Sequence, residues 1–318
     1  MITLEEALRD QQDLATLLRH RLVPSPSVEK YGRNDGYGWA SVLKEYSGYP
    51  ASLPVEAVIP HGVYLDAERI AEEELEAPVP AVLNYPAFRS SVWEQTSDKT
   101  VIPSASPFLY ALSLFRRRFP QHGDPTGTIF FPAHGTETSH MEVDWAALVG
   151  DLKALDATRK PVTVCIHMAE YERDRHRIFL DAGFDVVSAG NPWDPEFIYR
   201  WLHLLSLHRF AAGNNIGGCA YYSVKAGKPF FLVGEIPKAR LDPTLHYMQQ
   251  QVGLFYRATS KQMRETAAQI RKVFAEDEDA GPTKVELVDY LLGAENFRSE
   301  SELRHVLEQA AELAERPV

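Results

Sequence analysis

The sequence lacks several features that define large classes of proteins. It has only two cysteines among 318 residues, Cys165 and Cys219, and each lies in an apolar or small-residue run. A multi-disulfide framework is therefore excluded, and the pair is interpreted as buried free thiols of a reducing compartment. The sequence contains no run of about 18 apolar residues, so no membrane span is predicted.

Positive charge is also outnumbered, since 33 Lys and Arg face 44 Asp and Glu, for a formal net charge of −11. The short basic cluster at residues 116–118 is interpreted as a solvated helix end. The charge pattern predicts no nucleic-acid partner. The opening MITLEEALRD is acidic and amphipathic rather than signal-like. We therefore predict a cytoplasmic protein, whose contact with a membrane, if it has one, is peripheral at the inner membrane.

Familiar catalytic signatures are missing as well. There is no G-x-x-x-x-G-K-[ST] P-loop, no G-x-G-x-x-G after a strand and no G-x-S-x-G nucleophile elbow. Neither H-E-x-x-H nor a cysteine pair suited to zinc occurs. The acidic segment EDEDA is interpreted as a solvated loop between helices. No metal site and no cofactor are predicted.

What the sequence has is a regular alternation of apolar runs and helix-like segments. After the segment PQHGDPTG, five strand-like runs are separated by helices: TIFFPA, PVTVCIHM, FDVVSAG, RFAAGN and PFFLVG. Mostly apolar strands between helices predict a parallel sheet covered on both faces. The part before PQHGDPTG shows a similar α/β pattern, and the part after about Lys261 is helical in pattern.

The predicted fold class is therefore α/β, with two Rossmann-like domains facing a cleft and a helical C-terminal tail. We place the first domain at residues 1–124, the second at 125–258 and the tail, packing back on the domains, at 259–318. Ligands in such sheets bind outside the carboxyl ends of the strands. The loops that follow strands are the first place to look for a site.

Polar and titratable residues gather in those loops. Taken singly, each has an ordinary explanation as a turn former, a cap or a solvated carboxylate. Six such loops in succession indicate a ligand site, because a strand end needs no histidine or glutamate to fold. The candidates are His61, His134, Glu137, His167, Glu170, Asn191, Asn214, Asn215, Gly217, Gly218 and Glu235.

The segment GNNIGG, before the helix-like CAYYSVKAG, is the most informative of these loops. A helix N-terminus exposes unpaired backbone N–H groups and carries partial positive charge. A glycine pair lets a ligand approach that backbone, and asparagine side chains add neutral donors. The segment favours an anion, most simply a nucleotide phosphate, over a plain tight turn.

Several segments together resemble bacterial glycosyltransferases of the GT-B architecture. The resemblance covers roughly residues 58–235 and rests on VIPHG, GTIFFPAHGTETSH, VTVCIHMAEY, VVSAGNPWDPEFIYRWLHLL and AAGNNIGGCAYYSVKAGKPFFLVGE. The enzymes it is most similar to assemble capsule and lipopolysaccharide and include sialic-acid- and Kdo-type transferases. Their late N-x-I-G segment belongs to the donor-nucleotide half, so the resemblance makes 125–258 the donor domain and 1–124 the acceptor side.

This resemblance implies a metal-independent transfer of a hexosyl, sialyl or Kdo-type sugar. The donor is a nucleotide-sugar, and the acceptor is a saccharide or lipid-linked saccharide of the cell surface. Gly217, Gly218, Asn214 and Asn215 would stabilise the departing phosphate, with His167 or His134 as a further donor. Asn191 joins this binding set, and Glu235 could hold a ribose or sugar hydroxyl. The general base remains open among Glu137, Glu170 and His61.

Two other classes of function fit the same residues. One is a different enzyme on the same scaffold, either a nucleotide-sugar epimerase or a polyol-phosphate transferase. The other is a non-catalytic nucleotide- or sugar-binding module. The sequence fixes neither the nucleotide, the sugar, the acceptor, the stereochemical outcome nor the oligomeric state.

Overall fold

Two parallel sheets form the framework of the protein. The computed structural model describes residues 14–19, 27–63, 70–119, 124–135, 139–241, 261–276 and 281–315. The strands in chain order are Ala57–Val58 (β1), Ala81–Asn84 (β2), Thr100–Pro103 (β3), Thr128–Phe131 (β4), Ser139–Glu142 (β5), Val162–Cys165 (β6), Asp185–Val187 (β7), Phe210–Gly213 (β8), Phe230–Leu232 (β9) and Lys238–Leu241 (β10). The order β1-β2-β3 gives a three-stranded parallel sheet, and β7-β6-β4-β8-β9 gives a five-stranded one.

Helices connect and cover these strands. In chain order they are Leu14–Arg19 (α1), Trp39–Ser47 (α2), Glu72–Leu75 (α3), Ser90–Thr96 (α4), Pro107–Arg118 (α5), Trp145–Ala154 (α6), Met168–Glu172 (α7), His176–Asp181 (α8), Phe197–Ser206 (α9), Gly218–Lys225 (α10), Lys261–Glu276 (α11), Pro282–Leu291 (α12) and Glu300–Glu315 (α13). Short 3₁₀ segments lie at Gly32–Gly38, Ala87–Arg89, Ala157–Arg159 and Ala294–Asn296.

Local sequence explains where these elements form. Every residue of β4, TIFF, is buried, as expected of a central strand covered on both faces. Helix α5 begins with Pro107, whose missing N–H costs nothing at a first helical position, and the side chain of Ser106 accepts a hydrogen bond from the Phe108 N–H. Asp144 caps α6 in the same way, by accepting from the Ala147 N–H.

The parallel sheets, their covering helices and the C-terminal helices confirm the predicted α/β fold class. The domain boundaries at 124 and 258 stay a prediction. One local expectation is wrong: HGTETSH was expected to be loop throughout, yet its last two residues belong to β5. Strand β5 pairs antiparallel with β10, so a partner about 100 residues along the chain makes the strand.

Apolar packing joins the two sheets. One hydrophobic cluster includes Ala57 and Leu83 of the three-stranded sheet together with Ile129, Phe131 and Ala211 of the five-stranded sheet. Burial of this shared surface stabilises one relative placement of the two sheets, and therefore of the loops at their edges.

The structure also bears on the two expectations drawn from the few cysteines and from the lack of long apolar runs. Both cysteines are free, with Cys165 buried and Cys219 half-buried. Across the described ranges, every helix is too short or too polar to cross a membrane.

Candidate active site

The carboxyl ends of the two parallel sheets carry three histidines that lie close together. His61 follows β1 of the three-stranded sheet, whereas His134 follows β4 and His167 follows β6 of the five-stranded sheet. Repulsion from a protonated His134 lowers the pKa of His61, and repulsion from protonated His134 or His61 lowers the pKa of His167, so the three rings lie within electrostatic reach of one another. The structure thus brings together predicted site residues from both sheets, which we call the histidine cluster.

Two members of the cluster are stacked face to face. The ring centroids of His134 and His167 lie 3.7 Å apart, and the ring planes differ by 10°. Two imidazoles at this separation cannot both carry a positive charge without strong repulsion. The pair is therefore built to hold at most one extra proton.

Hydrogen bonds to the backbone assign the tautomers of this pair. The Nδ1 of His134 lies 2.9 Å from the Gly135 carbonyl oxygen, which can only accept, so this Nδ1 carries the proton and donates. The Nδ1 of His167 accepts from the Ala169 N–H at 3.2 Å, so it carries none. In the neutral rings, Nε2 of His134 is consequently an acceptor and Nε2–H of His167 is a donor.

Burial favours these neutral forms. It lowers the pKa of His134, although the carbonyl of Gly135 and the carboxylate of Glu170 act in the opposite direction. It lowers the pKa of His167 still further, with added repulsion from the other two histidines. Near pH 7 the pair therefore offers one proton acceptor and one neutral donor, the combination that acid–base chemistry uses.

Glu170 lies beside this pair and supports it. Its side chain is buried, and Oε1 accepts a hydrogen bond from the Gly135 N–H at 3.0 Å. Arg173 donates to the same oxygen at 3.2 Å and also to the carbonyl of Ser139 at 3.1 Å. Glu170 thus fixes the residue whose carbonyl orients His134.

His61 occupies the side of the three-stranded sheet. Its ring lies 4.8 Å from that of Tyr37, tilted by 34°. Its Nδ1 is buried and has no hydrogen-bond partner among the described residues. Burial, followed by the charges of Arg33 and His134, lowers its pKa to about 4. His61 is therefore neutral near pH 7 and keeps one nitrogen available.

The 3₁₀ segment Gly32–Gly38 holds Tyr37 against His61, and our sequence analysis missed it. The Tyr37 N–H donates to the carbonyl of Pro192, 2.5 Å away, in the loop after β7 of the five-stranded sheet. A Cβ on Gly38 would lie 2.3 Å from the carbonyl oxygen of Pro195. The signal was the string GRNDGYG, whose three glycines allow close approach of two backbones.

Asn191 belongs to the loop that receives this segment. Its side chain is buried, and its Oδ1 accepts from the Trp193 N–H at 2.9 Å, which closes an Asx turn. A buried ion pair between Arg200 of α9 and Asp194, 2.9 Å apart, holds this loop, and Arg200 also donates to the Ala189 carbonyl. The structure places Asn191 in a turn that shapes the site.

The GNNIGG segment forms the predicted helix start. Asn214 is buried and its Oδ1 accepts from the Ala133 N–H at 2.6 Å, while its Nδ2 has no partner in the described part of the chain. Asn215 is exposed and accepts from the Ile216 N–H. Gly217 is the N-cap of α10 and Gly218 is exposed as its first residue. Asn214 thus ties this helix start to the loop that carries His134.

Tyr222 connects α10 to the other side of the site. Its ring stacks on Phe108 at 4.1 Å and lies 3.4 Å from the position of a Cβ on Gly218. Burial raises its pKa well above the ordinary value, with further contributions from Tyr85 and Tyr37. The Tyr222 ring lies 6.2 Å from that of Trp39, which lies 5.8 Å from that of Tyr37, and Tyr37 contacts His61. A row of aromatic rings therefore runs from the helix start to the histidine cluster.

The two remaining candidates are less informative. Glu137 lies outside the described residues. Glu235 is exposed beyond the end of β9. Within the described ranges, no group of three or more His, Cys, Asp or Glu side chains is arranged to hold a metal ion.

Comparisons with known proteins give structural likenesses only. No family model matches the sequence, and no curated protein matches it. A structure of the wall teichoic acid polymerase TagF, described as soaked with CDPG, aligns with a TM-score of 0.37 and 8% identity over 76% of this chain and 58% of that chain. The protein therefore spans less than two thirds of that polymerase chain.

Two further solved structures are similar at the same level. The UDP-GlcNAc 2-epimerase from Neisseria meningitidis, bound to UDP-GlcNAc, aligns with a TM-score of 0.35 and 12% identity over 76% of this chain and 64% of that chain. A GtfA/B complex aligns with a TM-score of 0.35 and 12% identity over 86% of this chain and 55% of that chain. The function proposed next rests on the side chains of this protein.

Proposed function

We propose that the protein is a metal-independent glycosyltransferase, which moves a sugar from a nucleotide-sugar to an acceptor hydroxyl. The observation that carries this proposal is the stacked pair His134 and His167, one an acceptor and the other a donor, at the carboxyl edge of a parallel sheet. The start of α10 lies on the same edge, tied to the His134 loop through Asn214.

The donor phosphate would bind at the start of α10. Backbone N–H groups at a helix N-terminus, with the helix dipole, stabilise an anion without a metal. Gly217 and Gly218 add no side chain of their own at this end, and a Cβ on Gly217 would meet nothing within 4 Å. The unpartnered Nδ2 of Asn214 supplies one further neutral donor from the same loop.

The histidine pair divides the proton chemistry. His134 Nε2 takes the proton of the acceptor hydroxyl while the hydroxyl oxygen bonds to the anomeric carbon of the donor sugar. The bond from that carbon to the phosphate oxygen breaks, and its electron pair leaves with the nucleotide. His167 Nε2–H donates a hydrogen bond to the departing phosphate. Glu170, a candidate base in the sequence, takes a positioning role here because its carboxylate already holds Gly135 and Arg173.

Nucleotide binding tests the proposal directly. CMP, CDP, UDP and GDP would be screened by thermal shift without added Mg²⁺, and at least one should raise Tm. The variant Gly218→Glu should remove this response by placing a carboxylate at the phosphate position. A helix tolerates glutamate in its first turn, so the variant should fold. Gly150→Glu, which adds the same charge at an exposed position of α6, is the control. A folded protein that responds to none of the nucleotides contradicts the proposal.

Product analysis separates the alternatives on this scaffold. A transferase of hexosyl, sialyl or Kdo type extends a saccharide or lipid-linked saccharide and releases the nucleotide. An epimerase converts its nucleotide-sugar with no acceptor, and a polyol-phosphate transferase passes phosphate to the acceptor. Mass spectrometry distinguishes the three products. A binding module would give none of them, and replacing His134 or His167 would then change affinity at most.

A further inference from the structure

Arg33 lies beside the histidine cluster, and the donor site just described does not use it. Its guanidinium carbon lies 5.8 Å from the centre of the Trp193 ring. A Cβ on Gly36 would touch both that ring, at 3.7 Å, and the His61 imidazole, at 3.4 Å. Arg33, Trp193, Gly36 and His61 are therefore neighbours, with Trp193 contributed by the loop after β7.

The charge balance at this position favours an anion. The Arg33 side chain is 44% exposed, and its guanidinium contacts the Glu73 carboxylate at 2.9 Å. An exposed pair of this kind is worth little and can be exchanged for another anion. Two further carboxylates lie near the cluster. That of Glu170 is held by Arg173 and by the Gly135 N–H. That of Glu74 is buried and accepts a hydrogen bond from the His61 backbone N–H; burial raises its pKa, which favours the uncharged form, although Arg89 acts in the opposite direction. Arg33 is consequently the cation whose partner is easily displaced.

His61 supplies a second contact for the same ligand. Its buried Nδ1 has no partner in the described part of the chain, and a buried polar atom left in this state commonly marks a ligand or water site. The Arg33 guanidinium lowers the pKa of His61, so it lies within electrostatic reach of the ring. A guanidinium and a neutral imidazole donor together suit a tetrahedral oxyanion.

We propose that Arg33 and His61 form a second anion site, which binds a phosphate group on the acceptor. The acceptor would then be a phosphorylated or phosphate-linked molecule, held on the side of the three-stranded sheet, with its hydroxyl reaching His134. This inference rests on the proposed function for the identity of the ligand as an acceptor. The anion site itself is defined by the residues around Arg33.

Titration with inorganic phosphate tests this site separately from the donor site. The background is the full chain carrying Gly218→Glu, which removes the helix site, and binding is followed by calorimetry. Arg33→Gln should weaken phosphate binding about tenfold, because one charge-assisted contact is lost. Glu73→Gln should strengthen binding, because the competing carboxylate is gone.

The opposite effects of these two variants distinguish a ligand site from a structural ion pair. If the Arg33–Glu73 contact only stabilised the fold, both variants would have the same effect on phosphate binding. Arg304→Gln, which breaks the exposed pair with Glu308 on α13, is the matched control and should leave binding unchanged. Equal phosphate affinity in Arg33→Gln and in its parent overturns the proposal.

Two further arms identify the ligand and separate this inference from the transferase. Acetate titrated in place of phosphate should bind more weakly; equal binding would overturn the assignment to phosphate. Phosphate binding that weakens in Arg33→Gln, with no nucleotide binding to the wild-type chain, would support the anion site. The same result would contradict the transferase proposal and, with it, the assignment of the ligand as an acceptor. If nucleotides bind but phosphate affinity is the same with and without the Arg33 side chain, the transferase proposal stands and this inference is wrong.

Discussion

The two sheet edges that meet at the site differ in how completely their polar groups are held. On the five-stranded side, His134, His167 and Glu170 each have a backbone partner that fixes a nitrogen or an oxygen. On the three-stranded side, the Nδ1 of His61 is buried without a partner among the described residues, and the ion pair of Arg33 with Glu73 is exposed. The first edge is prepared for chemistry, and the second is open to a ligand.

This difference fits the division of work in a two-substrate reaction. Proton transfer needs atoms held in place before the substrate arrives, because misplacement by about 1 Å costs about 100-fold in rate. Recognition can leave a donor unpaired until the ligand satisfies it. Four changes test the comparison, taken in order of decreasing expected effect.

Replacing His134 should have the largest effect. His134→Gln removes the acceptor nitrogen, so kcat should fall about 1000-fold, within the usual range for general acid–base groups. His61→Gln should act mainly on the KM of the acceptor. His305→Gln, at an exposed position of α13, is the control. Steady-state kinetics on each variant make the measurement, and equal losses of kcat for His134 and His61 would contradict the comparison.

The contact between the two edges should be the next most sensitive feature. Gly38 has φ +82°, and its Cβ would meet the Pro195 carbonyl oxygen at 2.3 Å, so Gly38→Ala should lower the free energy of unfolding by about 3 kcal/mol. Gly48, at the other end of α2, has φ +67° with nothing within 4 Å. Gly48→Ala should therefore cost only about 1 kcal/mol. Urea denaturation measures both, and similar costs would show that the contact is unimportant.

The pH dependence of stability should reflect the buried state of His61. Its pKa is lowered from 6.5 to about 4, so the unfolded chain binds more protons between these values. The contribution of His61 to stability is then complete well above pH 6.5 and falls by about 3 kcal/mol as the pH drops to 4. The variant His61→Gln should lose part of this slope, as measured by urea denaturation at several pH values. An unchanged slope would mean that His61 is solvated in the folded protein.

The smallest effect is expected at Glu170. Glu170→Gln keeps an oxygen for the Gly135 N–H but loses the charge that pairs with Arg173. Because the residue acts through Gly135 on the His134 ring, kcat should fall about tenfold, with little change in donor KM. The pH profile of kcat should shift as the His134 nitrogen loses its nearby carboxylate. A loss as large as that of His134→Gln would instead identify Glu170 as the base.

Particular residues show how far the sequence predicted the site. His61, His134 and His167 were selected because they follow strands, and in a parallel sheet the carboxyl ends share one edge. The helix start at Gly217 and Gly218 was predicted in the same way, because it follows a strand. Arg33 and Tyr37 were missed because they precede a helix rather than follow a strand, and only the contact with residues 192–195 brings them to the site.

By itself, the sequence determined the α/β class and which loops carry polar groups, since both follow from periodicity and from residues close along the chain. Only the tertiary structure decided that His61 lies within electrostatic reach of His134 and that Glu170 positions Gly135. It also decided which ring nitrogen of each histidine on the five-stranded edge carries the proton. The physical reason is range. A protonation pattern depends on partners from distant segments, and those partners are brought together only when the two sheets bury a common apolar surface.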